Sequence, residues 1–354
     1  MSHKVINISG TLLFNVDQCS IARAAAIIKR GGLVAFPTET VYGLGADATN
    51  EEAVCKIFKA KGRPSDNPMI VHVASLEQLF MVSASITDQV AGLTEKFWPG
   101  PLSLILPRTK NIPGVVSAGL PTVAVRMPDH PVALSLIRSA ATPIAAPSAN
   151  LSGRPSPTSY IHVLEDLAGK IDAVIRAGAC PIGVESTVLD LSGQQPVILR
   201  PGGVSREKLE DFLGHPILVD GPGCASNLPS SPGMKYRHYS PHASLILVKG
   251  LPEERRSLVE ILYARCRKRK IRVEILNSAL DGFLLNRSAN NKQAELAAKL
   301  FQILRDMDRR GIELILAEEI EPEGIGLAVM NRLQKASSMI IRIKGRIVRA
   351  RRSI

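Results

Sequence analysis

Residues Gly31–Val73 read GGLVAFPTETVYGLGADATNEEAVCKIFKAKGRPSDNPMIVHV. Leu33–Phe36 is an apolar run of strand length. Pro37 stops it, because proline has no N–H to give to a sheet ladder. The polar Thr38-Glu39-Thr40 follows, then Tyr42-Gly43-Leu44-Gly45, whose glycines can let backbone approach a ligand or take positive φ. Asn50 is placed to cap a helix with Glu51 and Glu52 in its first turn and Val54, Ile57 and Phe58 on one face. The helix runs out in Lys59-Ala60-Lys61-Gly62-Arg63-Pro64, and Met69–Val73 reads as a second buried strand enclosing His72. Hydroxyls, an imidazole and cations therefore gather near two strand ends, where open α/β sheets bind ligands. Lys56 and Lys59 read as solvated lysines favoured by the helix dipole. Lys61 and Arg63, held in a loop by Gly62 and Pro64, read as functional.

Working outward, 354 residues suggest two domains, and a hydrophobic content of 45% supplies real cores. Aromatics at 4% argue against a surface built on stacked bases. No apolar run approaches the roughly 18 residues of a membrane span, and the N-terminus has no signal-peptide shape. The five cysteines are scattered, with no C-x-x-C pair. That fits a reducing cytoplasm, disfavours structural zinc and predicts buried small hydrophobes. The net charge of +12 is uneven: residues 244–354 hold 23 Lys/Arg against 13 Asp/Glu, and residues 1–243 hold 21 against 19. The excess in the last third suggests a polyanionic or acidic partner there.

Strand and helix patterns alternate along the whole chain, which predicts a mixed α/β sheet. Helices are expected at Cys19–Arg30, after the Ser75 capping box, at Thr87–Phe97, Pro131–Ser139 and Ser205–Leu213. Strands are expected at Leu102–Leu106, Val123–Met127, Ile144–Ala146, Asp172–Arg176, Ser186–Leu191 and Pro196–Arg200. The first domain is placed at 1–219. A Pro/Gly/Ser-rich linker follows at 220–243, then a smaller Rossmann-like α/β domain at 244–345 and a basic tail at 346–354. Gly324-Ile-Gly326 lacks the third glycine and acidic partner of a dinucleotide site, and no P-loop is present.

Several constellations could carry chemistry. Lys61-Gly-Arg63 with Ser148-Ala-Asn150 offers two cations and two directional side chains suited to a triphosphate. Turn chemistry would explain Ser148 and Asn150 equally well. Arg126 ends an apolar strand, so it makes either a structural salt bridge or a contact with a ligand carboxylate. Ser186 opens one strand and Arg200 ends its neighbour. His72 alone reads as a satisfied core histidine. Ser231–Pro241 packs two tyrosines, a histidine and two cations into a punctuated loop, more than a plain spacer needs. Arg342–Arg352 carries six basic residues and no acid. It alternates as a cationic edge strand would, which blocks aggregation or contacts RNA.

PTETVYGLG, KGRPSDNP and IVHV, with the S-x-N and linker segments, resemble the YrdC-like family in its two-domain form, the threonylcarbamoyl-AMP synthases. That resemblance implies a YrdC-like mixed twisted sheet with helices around a basic cavity, the Rossmann-like domain, and a linker folding over the site. It implies L-threonine, bicarbonate and ATP as substrates, with Mg2+ accompanying ATP and held mostly by the phosphates. Glu39 or Glu185 would reach the metal through water. Thr38, His72, Arg126, Ala146 and Ser186 are implied around threonine. Lys61, Arg63, Ser65, Asn67, Thr122, Ser148, Asn150, Ser156, Arg200, Tyr236 and His238 are implied around ATP. No protein nucleophile is needed; Lys61 and Arg63 would position the reactants. The product would feed a downstream enzyme that modifies tRNA beside the anticodon. A rival reading is an RNA-binding or ribosome-maturation module, which would spread cations over the first domain, yet that domain is near neutral. Carbamoyl transfer as in hydrogenase maturation would require zinc and acylphosphatase modules that the sequence lacks.

Overall fold

The computed structural model describes residues 6–220, 238–276, 289–345 and 347–352. The chain divides into two compact units, Met1–Ser152 with Ser156–Lys235, and Gly153–Pro155 with Tyr236–Ile354.

The first unit is built on twelve strands: β1 (Ile6–Ile8), β2 (Thr11–Phe14), β3 (Val34–Phe36), β4 (Gly43–Asp47), β5 (Ile70–His72), β6 (Leu102–Pro107), β7 (Thr122–Arg126), β8 (Ile144–Ala145), β9 (Ala173–Ile175), β10 (Thr187–Asp190), β11 (Val197–Arg200) and β12 (Leu218–Val219). They form one mixed sheet in the order β1-β2-β9-β3-β4-β8-β5-β7-β6-β10-β11-β12. Helices α1 (Gln18–Lys29) and α5 (Pro131–Ala140) bury Ile21, Ile28, Leu136 and Ile137 with Val34, Phe36 and Ile144 of the sheet. Helices α2 (Glu51–Lys61), α3 (Leu76–Val82), α4 (Asp88–Phe97) and α6 (Tyr160–Leu167) bury Val54, Ile57, Leu79, Leu93 and Val163 in a separate core with Leu44, Val71, Leu104 and Val125. Alternation along β3 sends Val34 and Phe36 to the first core and Ala35 to the second. A further helix, α7 (Arg206–Leu213), adds Leu209 to the second core.

Helix starts follow the chain's capping chemistry. Asn50, Ser75, Thr87 and Ser205 each accept from a backbone N–H three residues on. Gly62 closes α2 in the left-handed conformation, φ +58°. Lys61 is therefore the last helical residue rather than a loop residue. The segment around Gly43 and Gly45 is a strand, and its glycines serve packing. A Cβ on Gly45 would sit 2.8 Å from both Phe36 Cε1 and Ile144 Cγ2.

The second unit holds a five-stranded sheet of β13 (Ser244–Lys249), β14 (Val273–Ile275), β15 (Leu314–Glu318), β16 (Met339–Lys344) and β17 (Ile347–Arg352), ordered β14-β15-β13-β16-β17. Four strands are parallel and β17 pairs antiparallel with β16, so residues 347–352 extend the sheet. Helix α8 (Pro252–Lys268) covers Val248, Val273 and Leu316 through Val259. Helices α9 (Ala289–Arg309) and α10 (Gly326–Ala336) lie in the same unit. Within it Tyr239 stacks on Phe301 at 5.3 Å, and Arg332 lies over the Tyr239 ring.

Candidate active site

Sheet register assembles the site in the first unit. His72 is paired with Arg126 across β5 and β7, and Ile144 of β8 lies on the other side of His72. Val188 is paired with both Ser103 and Arg200 across β6, β10 and β11. Ile105 pairs with Ala124, so Ser103 and Arg126, two residues beyond, share that face. One sheet face thus carries His72, Arg126, Ser103 and Arg200 in a row, with Thr122 lower on β7 and Ala146 just past β8. Ile70, Ala124 and Ile105, two residues along from His72, Arg126 and Ser103, form a small apolar patch with Val188.

Arg126 is 2% exposed, so its charge must be answered inside the fold. Its Nη2 donates to Oε2 of Glu39 at 2.5 Å and its Nη1 to Oγ1 of Thr40 at 3.0 Å. The structural salt-bridge reading of this arginine is realised, with Glu39 as partner. Burial pulls the Arg126 pKa down and Glu39 opposes that. Thr38 Oγ1 donates to the Val41 carbonyl at 2.6 Å and lies 2.7 Å from Thr40 Oγ1, fixing the turn after β3. Ile182 and Gly183 donate backbone N–H groups to the carbonyls of Glu39 and Thr40. Burial, reinforced by the Arg126 charge, pushes the His72 imidazole down to about 3, so this histidine is neutral. Its ring meets Phe36 edge-on at 6.1 Å.

Ser186 and Arg200 converge as expected. Arg200 donates from Nε and Nη2 to the Ser186 carbonyl, at 3.2 and 3.0 Å, and from Nη2 to Ser186 Oγ at 3.2 Å. Ser186 Oγ also lies 2.8 Å from Ser103 Oγ. Ser156 Oγ donates to Glu185 Oε1 at 2.5 Å. Gly202 passes so close to Glu185, Ser186 and Thr187 that a Cβ there would overlap their backbone atoms.

Lys61 and the S-x-N turn are brought together from the end of α2 and the loop after β8. Lys61 Nζ donates to the carbonyls of Ser148 and Asn150, each at 2.5 Å. Ser148 Oγ donates to Asn150 Oδ1 at 2.6 Å, and Asn150 Nδ2 to the Leu151 carbonyl. Arg63 shapes the following loop: its Nη2 donates to the carbonyls of Asn67 and Pro68, both at 2.8 Å. Asn67 is fully buried with both side-chain polar atoms unpartnered, whereas Ser65 is exposed. Lys56 donates to the Gly31 carbonyl at 2.7 Å. His238 belongs to the second unit, its ring 5.7 Å from Tyr239. Tyr236 lies outside the described residues.

Two site residues escape a motif reading. Ser103 has a signal only in the alternation of Leu102–Leu106. Cys180 is 4% exposed and interacts with Thr38, Glu39 and Arg126; burial raises its thiol to about 12. Cys19 and Cys55, expected to be buried, are exposed because they occupy the outer faces of α1 and α2. Among the described residues no group of three His, Cys, Asp or Glu side chains could hold a metal ion. No helix among them is long and apolar enough to cross a membrane.

The Sua5/YciO/YrdC family model, described as telomere recombination, matches residues 26–202, and the model for the C-terminal domain of threonylcarbamoyl-AMP synthase matches 204–338. A threonylcarbamoyl-AMP synthase from Pyrococcus abyssi is 49% identical over 339 residues, spanning 92% of this chain and 98% of that protein. The chain belongs to the threonylcarbamoyl-AMP synthase family. The Bacillus subtilis member is 46% identical over 333 residues, spanning 93% of this chain and 94% of its own. The crystal structure of P. abyssi Sua5 complexed with L-threonine superposes with a TM-score of 0.87 at 46% identity, covering 94% of this chain and all of that one. The mixed twisted sheet followed by a smaller α/β domain is the family architecture. The β16–β17 hairpin, from residue 339 onward, lies past both matched models.

Proposed function

We propose that the first unit joins L-threonine, bicarbonate and ATP into threonylcarbamoyl-AMP with release of pyrophosphate. The observation that carries the reading is that one unit holds both the row His72–Arg126–Ser103–Arg200 and the Lys61–Ser148–Asn150 turn. It is supported by the likeness to a relative solved with L-threonine. Arg126 would take the amino acid's carboxylate, with Thr38, His72, Ala146 and Ser186 around the rest. Lys61, Arg63 and Arg200 would offset triphosphate charge, with Ser65, Asn67, Thr122, Ser148, Asn150 and Ser156 completing the nucleotide's surroundings. The threonine ammonium first gives up a proton to solvent, and the free amine then attacks the carbon of bicarbonate to give N-carboxythreonine and water. A carbamate oxygen then attacks the α-phosphate and expels pyrophosphate. No protein atom joins a covalent bond, so catalysis is positioning and charge stabilisation. ATP would enter as its Mg2+ complex, the ion held mostly by phosphate oxygens.

We further propose that the product serves a cytoplasmic tRNA-modifying enzyme, and that the β16–β17 hairpin contacts RNA. Arg342 is paired directly with Arg349 across the hairpin, and exposed Lys344 and Arg351 share their face. Like charges in register are unfavourable unless a polyanion lies over them.

A pyrophosphate-release assay with each substrate omitted in turn, on wild type and Arg63→Ala, tests the reaction. Release that needs all three substrates, and falls at least tenfold in the variant, supports it. Release without threonine overturns it. For RNA, Arg349→Glu with Arg351→Glu should weaken tRNA binding and flatten its salt dependence; unchanged affinity removes the hairpin from the interface.

A further inference from the structure

The buried ion pair between Glu39 and Arg126 leaves one acceptor and one donor over. Glu39 uses Oε2 on Arg126 Nη2, and Arg126 uses Nη1 on Thr40 Oγ1. Glu39 Oε1 and Arg126 Nε are both buried with no hydrogen-bond partner. Each group belongs to a residue 5% exposed or less. Unmade bonds on buried charged groups are costly, and two at one ion pair mark a place where a ligand completes the network. The chemistry of the missing ligand follows from the leftovers. It must present a donor to a carboxylate oxygen and an acceptor to a guanidinium N–H, within the span of one ion pair. The α-carbon of a zwitterionic amino acid carries that combination, an ammonium beside a carboxylate.

We propose that Glu39 is the subsite for the substrate's ammonium group, so that Glu39 and Arg126 together read both charged ends of an α-amino acid. The proposal rests on the reading that this hollow takes threonine. Before substrate arrives, the Glu39 carboxylate stands in for the substrate carboxylate at the Arg126 fork. With substrate bound, Arg126 Nε meets the incoming carboxylate and Glu39 Oε1 meets the ammonium. The carbonyls of Glu39 and Thr40 are pinned by the N–H groups of Ile182 and Gly183, so the backbone bearing Glu39 is anchored. A site built this way selects against ligands that keep the carboxylate and lose the nitrogen, because Oε1 then stays buried and unpaired.

The test needs no variant in its first arm. Calorimetry on the full chain with a non-hydrolysable ATP analogue compares L-threonine with (R)-3-hydroxybutanoate, in which hydrogen replaces the α-amine and no donor is left for Oε1. Wild type should bind the hydroxy acid about 100-fold more weakly. In the second arm, Glu39→Gln should lose about 10- to 100-fold in threonine affinity, bind the hydroxy acid as wild type does, and raise the threonine KM with the ATP KM unchanged. A hydroxy acid binding wild type within threefold of threonine overturns the proposal while leaving the threonine reading intact. So does a folded Glu39→Gln with wild-type threonine affinity. Failure of wild type to bind threonine at all overturns the underlying reading, and the proposal with it.

Discussion

Replacing Lys61 by methionine keeps most of the aliphatic stem and removes the ammonium. The side chain is 3% exposed, and its Nζ serves the carbonyls of Ser148 and Asn150, each at 2.5 Å. Two acceptors would lose a charged donor where water does not reach. An unmade bond on a buried acceptor costs about 1–3 kcal/mol. Relief from burying an ammonium, several kcal/mol in principle, offsets part of the loss. The net expectation is about 2–3 kcal/mol, from the low end of the two acceptors to the full value of one. The chain has a single tryptophan, and Trp98 is buried in the first unit with its Nε1 on the Leu102 carbonyl at 2.7 Å. Its fluorescence therefore reports that unit alone. With a urea slope of about 2–3 kcal/mol per M, the midpoint should fall by about 1 M. Lys61→Arg should not restore it, because a planar fork does not fit two carbonyls converging on one nitrogen. An unchanged midpoint in Lys61→Met would refute the view that this lysine pins the S-x-N turn.

Three further outcomes follow from the same geometry. Gly202→Ala forces a Cβ into the backbone of Glu185, Ser186 and Thr187. It should destabilise the first unit by at least about 1–3 kcal/mol and lower pyrophosphate release, read by urea melts and initial rates. The His72 imidazole is held near 3, below its usual 6.5, so the unfolded chain takes up a proton between those values that the fold refuses. Its contribution to stability is complete above pH 6.5 and is lost as pH falls, by about 1.4 kcal/mol per unit, and the difference in slope between wild type and His72→Gln measures it. Maleimide should label exposed Cys19 and Cys55 well before Cys180, whose thiol is buried and titrates only at about 12; peptide mapping after timed quenching shows the order.

Much of this architecture was legible in local chemistry. Caps at Asn50, Ser75, Thr87 and Ser205 mark helix starts because a side-chain oxygen must answer early N–H groups, and that requirement is written within four residues. The pairing of Lys61 with Ser148 and Asn150 could not be derived from spacing, since 87 residues separate them; the family resemblance supplied it. Gly43–Asp47 hid its strand because glycine has low strand propensity, and only Phe36 and Ile144 pressing from neighbouring strands explain Gly45. Ser103 was invisible for a different reason. A serine in an apolar strand becomes a site residue only through register with Val188 and its contact with Ser186, which are tertiary facts. Glu39 showed its charge in the sequence but not its partner, which lies 87 residues away on β7.

Amino acid, bicarbonate and nucleotide must meet in the first unit for the proposed reaction to occur. Incubation with 13C-bicarbonate, L-threonine and MgATP, followed by mass spectrometry of the rapidly quenched mixture, addresses that directly. One species containing the label, threonine and AMP together is the predicted result. AMP accumulating beside unmodified threonine, with the label left in bicarbonate, would contradict it.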